Sequence, residues 1–409
     1  MAIFSRALLL ASLCLPALAQ AAPITLDDAI TRALAAAPQR AVAEARTEAW
    51  SAARRAADTK PAPTIEVAVE NIGPSRGVLD QSQVDFLYSQ RIERGGKRAA
   101  RIALVDREQA VSSAEAIVTR LDTVQQAQRL FVEAQSATIK VEAVEERLRI
   151  ARELQKAVAA RVASARDPIF AGTRARTQVT DLEVELEVAI HERDRCLTRL
   201  AELWGGTPDG LTVPTDSFLE VVHEEEPHLP SPSDLALFQA RVARAEAAFD
   251  VERAAAVIDP TVTAGPRLLT GTGDVALVAG VSIPLANKRL NAANSDRAEA
   301  LRRQAEAELA VERYQRNRAI DQAAEEVEEA QHAALAIRDR VLPGLRQTLA
   351  EVRAGYARGG FSFLDVSTAA SAVAEARGRV IEAATRFHLA KVTLDRLTGE
   401  YAKLVSEAR

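Results

Sequence analysis

The residue types in this 409-residue chain best suited to chemistry stand together at His223-Glu224-Glu225-Glu226-Pro227-His228, where imidazole nitrogens and carboxylate oxygens could hold a divalent cation. The same run also reads as a solvated acidic loop. Its histidines are not at a helical ligand spacing, and nearby prolines keep the segment extended. The remaining histidines, His191, His332 and His388, are dispersed over helical stretches and read as facing solvent or a neighbour. No nucleophile-and-base motif, phosphate-cradling loop or tight metal-ligand spacing occurs, so no catalytic residue, resident metal or cofactor is expected. Two basic pairs, Lys97-Arg98 and Lys288-Arg289, recur at matching places, and both readings of them stay open: cations reaching phosphate headgroups at a membrane boundary, or cations satisfying carboxylates at a strand-to-helix bend.

That recurrence belongs to a larger one, because the chain carries one unit twice. Strands expected over 64–69 and 84–90 lead through Arg94-Gly95-Gly96-Lys97-Arg98 into a run free of Gly and Pro that lasts to 166. In the second copy, strands over 262–268 and 275–283 lead through Asn287-Lys288-Arg289 into a similar run to 342. About 65 residues of α-helix at a rise of 1.5 Å make a rod of roughly 100 Å, which no compact domain needs. Val141, Val144, Leu148, Ala151, Val158 and Val162 follow a 3-4 spacing, as do Leu345, Leu349, Val352 and Tyr356, so the rods carry coiled-coil seams. The rods turn back at 161–168 and 356–361 into helices ending near Trp204 and Leu397. These return legs reach only about half the rod's length, so a helix capped at Thr25 and running past Pro38 to Asp58, and the segment 233–255, must cover the other half. Pro343-Gly344 lies inside the second rod and is expected to kink or relax it. The expected organisation is a signal segment 1–21, a first repeat 22–206, a proline-rich equatorial linker 207–232 beside the middle of the rod, and a second repeat 233–409.

Composition narrows the class. Aromatic residues are 4% and alanine is abundant, which suits closely packed helices. The net charge of −5, with bases alternating with acids along the helices, argues against nucleic acid as a partner. Arg6, the apolar stretch 7–18 and Ala17-Leu18-Ala19 form an export signal cleaved after Ala19 or Ala21. Leu13 before Cys14 is not the small residue of a lipoprotein signal, and cleavage leaves Cys196 as a lone thiol packed in a helix. No later run of 18 apolar residues occurs, so a membrane-spanning form would have to be a β-barrel. In the first strand Ile65, Val67 and Val69 oppose Glu66 and Glu70; in the second Val84, Phe86 and Tyr88 oppose Asp85 and Ser89. Alternation of this kind fits a half-buried soluble sheet or a lipid-out, water-in barrel wall, and Phe86 and Tyr88 fit sheet packing or an aromatic girdle. Four strands cannot close a barrel: two chains would supply eight, three chains twelve.

With these motifs in place, the chain resembles the TolC family of outer-membrane efflux ducts over nearly its whole mature length. Ile24-Thr25-Leu26-Asp27-Asp28-Ala29-Ile30, with Ala33-Leu34 and Pro38, is similar to the family's opening helix, and the two turn regions to its periplasmic helix tips, especially Gly355-Tyr356-Ala357-Arg358-Gly359-Gly360-Phe361-Ser362-Phe363-Leu364-Asp365-Val366. Ser89-Gln90-Arg91-Ile92-Glu93-Arg94-Gly95-Gly96-Lys97-Arg98 resembles the strand-to-helix junction of the CzcC-like branch, which serves heavy-metal export. The resemblance implies a mainly α fold with a small β part: a homotrimer whose twelve-stranded barrel in the outer membrane continues as a helical tunnel through the periplasm. It implies partners as well, a periplasmic adaptor and an inner-membrane pump of the resistance-nodulation-division type, with outer-membrane lipid around the barrel. Tip residues Arg161, Ala165, Asp167, Arg358, Gly359 and Gly360 would dock the adaptor, and Glu66, Glu70 and Asp85 would face the barrel lumen. Asp365 stands where the family places an inward-facing aperture acid and Thr368 where a second acid occurs; Ala171 takes the equivalent place in the first repeat. Asp365 also reads as a cap on the first turn of the return helix. The rival class, a soluble periplasmic coiled-coil adaptor, would insert a Gly-rich β-domain between its helical legs, where this chain has turns of a few residues.

Overall fold

A computed structural model describes residues 23–72, 82–222 and 229–407; the expected export segment 1–21 and the His/Glu run 223–228 lie outside the described residues. Thr25 begins the first helix, Leu26–Leu34 (α1), through a capping box: its hydroxyl accepts from the Asp28 amide at 3.2 Å and the Asp28 carboxylate accepts from the Thr25 amide. The single helix expected as far as Asp58 is in fact two. Ala37–Ala57 (α2) starts afresh because Pro38 has no N–H to give the Leu34 carbonyl.

Thr64–Glu70 (β1) pairs antiparallel with Gln83–Arg91 (β2), and Thr261–Leu269 (β3) with Asp274–Ser282 (β4), each within one residue of its expected ends. Pairing of β2 with β3 joins the hairpins into one sheet of order β1-β2-β3-β4, so the two repeats meet at its centre. Gly265 is what lets β3 approach β2 so closely, since a Cβ there would stand 1.8 Å from the Phe86 carbonyl oxygen.

From the sheet, Lys97–Ala163 (α3) runs as one helix of 67 residues, roughly 100 Å. It returns through Ile169–Glu202 (α4). Pro232–Ala255 (α5) leads back up to β3, and Lys288–Ala336 (α6), a π-helical turn Ile337–Val341, and Leu342–Arg358 (α7) make the second rod. The π turn is the relaxation expected from Pro343-Gly344: the extra residue absorbs the hydrogen bond that Pro343 cannot donate. Phe363–Thr398 (α8) returns from the tip, and a short Ala402–Glu407 (α9) follows, which sequence periodicity does not announce. Among the described residues the sheet-side half of the rod packs α2, α3, α5 and α6, and the tip-side half packs α3, α4 and α8 with the end of α6 and its continuation α7.

The core is a chain of small clusters along the rod rather than one centre. Val141, Val144, Leu148, Ala151 and Val158 of the first seam are buried, as are Leu349 and Tyr356 of the second, while Ala127, Ala134, Ala383 and Ala384 bring neighbouring helices close. Around the middle, the equatorial segment is pinned by Phe218 and Val221, which sink into the cluster of Val132, Ile139, Val327 and Phe387. Side chains from both rods then fix its backbone: Gln135 donates to the Pro214 carbonyl, Gln331 to Val221 and Arg338 to Leu219.

Candidate pore wall, junction and tip

The register places Ile65, Val67, Val69, Val84, Phe86, Tyr88, Val262, Ala264, Leu268, Val275, Leu277, Ala279 and Val281 on one face of the sheet. Most of them are bare: Leu277 is 80% exposed and Ile65 78%. Burying such a side chain is worth about 1.5–3 kcal/mol, so the face as a whole favours an apolar medium by on the order of 10 kcal/mol. Opposite lie Glu66, Glu70, Asp85, Ser89, Thr261, Thr263 and Arg267, the three acids expected on the wet side among them. Asp85 is only 3% exposed because Arg267, 182 residues away in sequence, grips it with two hydrogen bonds of 2.7 and 2.6 Å. Nothing in the local sequence announces Arg267 as that partner.

At the strand-to-helix junction the basic pair of the first repeat satisfies carboxylates at the bend. Lys97 Nζ lies 2.8 Å from buried Asp259, which Arg91 also approaches at 3.1 Å, and Arg98 lies 2.6 Å from Asp58. Arg101 pairs with Glu93 and donates to the carbonyls of Ala57 and Thr59, closing the junction onto the end of α2. Lys288 and Arg289 differ: they are exposed, with no ion pair among the described residues.

The two tips are locked to each other. Arg161 Nε and Nη2 reach the Asp167 carboxylate at 3.1 and 3.0 Å, Arg161 Nη1 donates to the Tyr356 carbonyl at 3.0 Å, and the guanidinium lies 4.5 Å from the centre of the Tyr356 ring. Hydrogen bonding from Arg161 holds the Asp167 carboxyl below the usual range, and burial, then Asp167 itself, push the Tyr356 phenol up. Arg161 and Asp167 thus have their functional groups turned inward and engaged, whereas Arg358, Gly359 and Gly360 are exposed at the end of the molecule. Ala165 and Gly359 take the same left-handed conformation at the two turns, φ 53° and 87°.

Asp365 is the third residue of α8 and completes a capping box. Its Oδ2 accepts from the Ser362 amide at 2.8 Å and the Ser362 hydroxyl at 2.7 Å, and these bonds hold its carboxyl below the usual range. Asp365 and Thr368 share one exposed face of α8, while Phe363 and Val366 turn into the tip core. Ala171 is also the third residue of its helix, yet it is buried in that core. In packing terms it corresponds to Val366, and the exposed place of Asp365 falls to Phe170 in the first repeat.

Two further polar sites escaped sequence reading. Asp234, buried at the start of α5, receives both Nη atoms of Arg396 at 2.6 and 3.0 Å and lies 3.4 Å from Arg316, while Arg396 Nε also reaches Asp122 at 2.9 Å. This network ties α3, α5, α6 and α8 together. His388 Nε2 donates to the Phe218 carbonyl at 2.8 Å with its ring 4.7 Å from the Phe218 ring, and burial lowers its pKa. Cys196 is buried in α4 as expected, its thiol pushed up by burial. Among the described residues no group of three or more His, Cys, Asp or Glu could hold a metal ion, and no helix is long and apolar enough to cross a membrane.

No protein-family model matches the chain. It is 26% identical over 390 residues to the cobalt-zinc-cadmium resistance protein CzcC of Cupriavidus metallidurans, covering 93% of this chain and 91% of CzcC. Its fold matches the crystal structure of the outer membrane protein VceC of Vibrio cholerae with a TM-score of 0.70 and 19% identity, over 91% of this chain and 96% of VceC. The outer-membrane channel OprN gives 0.72 and 16%, over 91% of this chain and 89% of its own. Along nearly its whole length the chain is thus similar to CzcC, and it has the fold of solved outer-membrane channels, with a bare apolar sheet face suited to lipid.

Proposed function

We propose that three copies of the chain form the outer-membrane exit duct of a tripartite efflux system that exports heavy-metal cations such as cobalt, zinc or cadmium. The observation that carries this reading is the sheet: among the described residues one continuous apolar face is left bare and two edges, β1 and β4, are unpaired. Backbone groups facing lipid must be paired, so β4 of one copy joins β1 of the next, and three copies close twelve strands around a lumen lined by Glu66, Glu70 and the Asp85–Arg267 pair. The cargo follows from the name of CzcC as a cobalt-zinc-cadmium resistance protein. Passage through the duct is passive and needs no catalysis by this chain; a resistance-nodulation-division pump in the inner membrane supplies the energy and a periplasmic adaptor joins pump to duct at the exposed tip residues Arg358, Gly359 and Gly360. Three copies of Asp365, with Thr368 one turn on, ring the aperture and favour cations. A soluble adaptor is disfavoured by the bare apolar face.

Deleting the chain tests the cargo. Loss of tolerance to cobalt, zinc and cadmium is the expected result; unchanged metal tolerance with new sensitivity to hydrophobic drugs would keep the duct and overturn the metals. A chain released from membranes by salt alone, monomeric in solution, would overturn the duct itself.

A further inference from the structure

The level at which strands give way to helices carries charge that the fold does not neutralise. Across residues 58–61, 91–101, 256–261 and 283–290 there are eight Lys and Arg against three acids, a local +5 in a chain whose total is −5, so the remainder carries −10. All three acids are already engaged: Asp259 by Lys97 and Arg91, Asp58 by Arg98, and Glu93 by Arg101. Lys60, Arg94, Lys288 and Arg289 are exposed with no ion pair among the described residues. Lys60, Arg91, Lys97 and Arg98 line a cavity of about 480 Å³ at this level.

Aliphatic side chains interrupt the cations. Ile92, Ile283 and Leu290 are exposed and Leu285 is 95% exposed, on segments continuous with the bare apolar face of the sheet at its Ile65 and Val281 end. A bilayer boundary has both environments within a few ångströms of each other, acyl chains on one side and phosphates on the other.

We propose that this collar is a binding site for the phosphate headgroups of anionic phospholipids in the periplasmic leaflet, with one headgroup seated in the Lys60–Arg98 cavity and others on Lys288 and Arg289. The inference rests on the outer-membrane duct reading. Free phosphate shares the headgroup chemistry but gives the exposed leucines and isoleucines nothing to lie against. A zwitterionic lipid brings its own cation and leaves the +5 uncompensated.

The test uses the full chain, purified in a non-ionic detergent, stripped of lipid and titrated with dioleoylphosphatidylglycerol, dioleoylphosphatidylcholine or inorganic phosphate, with binding followed by native mass spectrometry. Phosphatidylglycerol should bind in preference to phosphatidylcholine and should resist displacement by equimolar phosphate. Lys60→Gln, Lys288→Gln and Arg289→Gln, none of which breaks an ion pair, should each weaken phosphatidylglycerol binding roughly five-fold, the equivalent of about 1 kcal/mol per cation. Equal binding of the two lipids, displacement by phosphate, or full affinity in the triple variant would each overturn the site. The duct reading fails by a different sign, extraction of the chain by salt alone, so the two failures are told apart.

Discussion

Tyr356 Oη donates a 2.5 Å hydrogen bond to Asp167 Oδ2, joining two tips 189 residues apart in sequence. Arg161 completes the contact from below, so neither tip can swing without breaking bonds to a charged group. Tyr356→Phe keeps the ring in the tip core and removes only the hydroxyl; a hydrogen bond to a charged partner is worth about 1.5–3 kcal/mol. Amide exchange at 161–168 and 355–362 should accelerate while exchange around the equator stays as it was. Unchanged exchange at both tips would show that the clamp does not hold them. Acid acts on the same contact. Asp167 is depressed in the fold, so its contribution is present above the ordinary carboxylate value and is lost as pH falls through the lowered one, which leaves the clamp intact at neutral pH.

Ala165 and Gly359 do the same work at the two turns with unequal ease. A left-handed alanine costs roughly 1–2 kcal/mol, and glycine gives back about 0.5–1 kcal/mol of that in unfolded-chain entropy. Ala165→Gly should therefore stabilise the first tip by about 0.5–1 kcal/mol, read as slower local amide exchange at 161–168. At Gly355 the opposite holds: an added Cβ would meet the Phe361 ring at 2.1 Å, so Gly355→Ala should loosen the second tip.

What the sequence discloses here is what repeats locally. Helical seams, strand alternation and the Gly, Pro and Asn punctuation give the rods, hairpins and turns, and Pro343-Gly344 foretells the π turn. The choice between soluble sheet and barrel wall was not legible, because Ile65 to Val69 alternate identically in both. It turns on what covers the apolar face, and no described residue does so. Long-range pairs were equally hidden: Arg267 on Asp85, Tyr356 on Asp167 and Arg396 on Asp234 join residues that share no period or motif. Ala171 shows a subtler limit. Counting from the helix start equates it with Asp365, but the two helices enter the tip core about one residue out of phase.

Arg396 is the cation that makes burial of Asp234 tolerable. Removing it with Arg396→Ala leaves the carboxylate with only the more distant Arg316, and breaking a buried pair costs about 3–5 kcal/mol. Asp234→Asn should cost less, since an amide needs no counter-charge. Both are read as loss of thermal stability of the assembled protein; equal stability of Arg396→Ala and the parent would remove the network from any structural role.

His388 makes the equatorial segment sensitive to acid. Burial lowers its pKa below the ordinary 6.5, so between the two values the unfolded ring holds a proton that the folded ring does not, and stability falls as pH drops below 6.5. The charge of Lys391 adds to the lowering. Protease cleavage within 207–222 should become faster from pH 7 to pH 5, and His388→Gln, which can still donate to the Phe218 carbonyl, should abolish that dependence. A pH response that survives in His388→Gln would assign it to another group.

Asp365 has two assignments that a pair of substitutions separates. As a cap it needs Ser362, whose hydroxyl and amide both donate to its Oδ2; as an aperture acid it needs only its charge, which the lowered carboxyl keeps at neutral pH. Ser362→Ala removes the hydroxyl, at a cost of about 1 kcal/mol to the first turn of α8, and leaves the carboxylate in place. Asp365→Asn removes the charge and keeps an oxygen for the cap. In planar bilayers Asp365→Asn should lose cation preference while Ser362→Ala keeps it, and Asp365→Ala, losing charge and cap together, should also conduct more. Should the three variants change conductance alike with selectivity unmoved, Asp365 serves the helix terminus alone, and the constriction must be sought on another face of the tip.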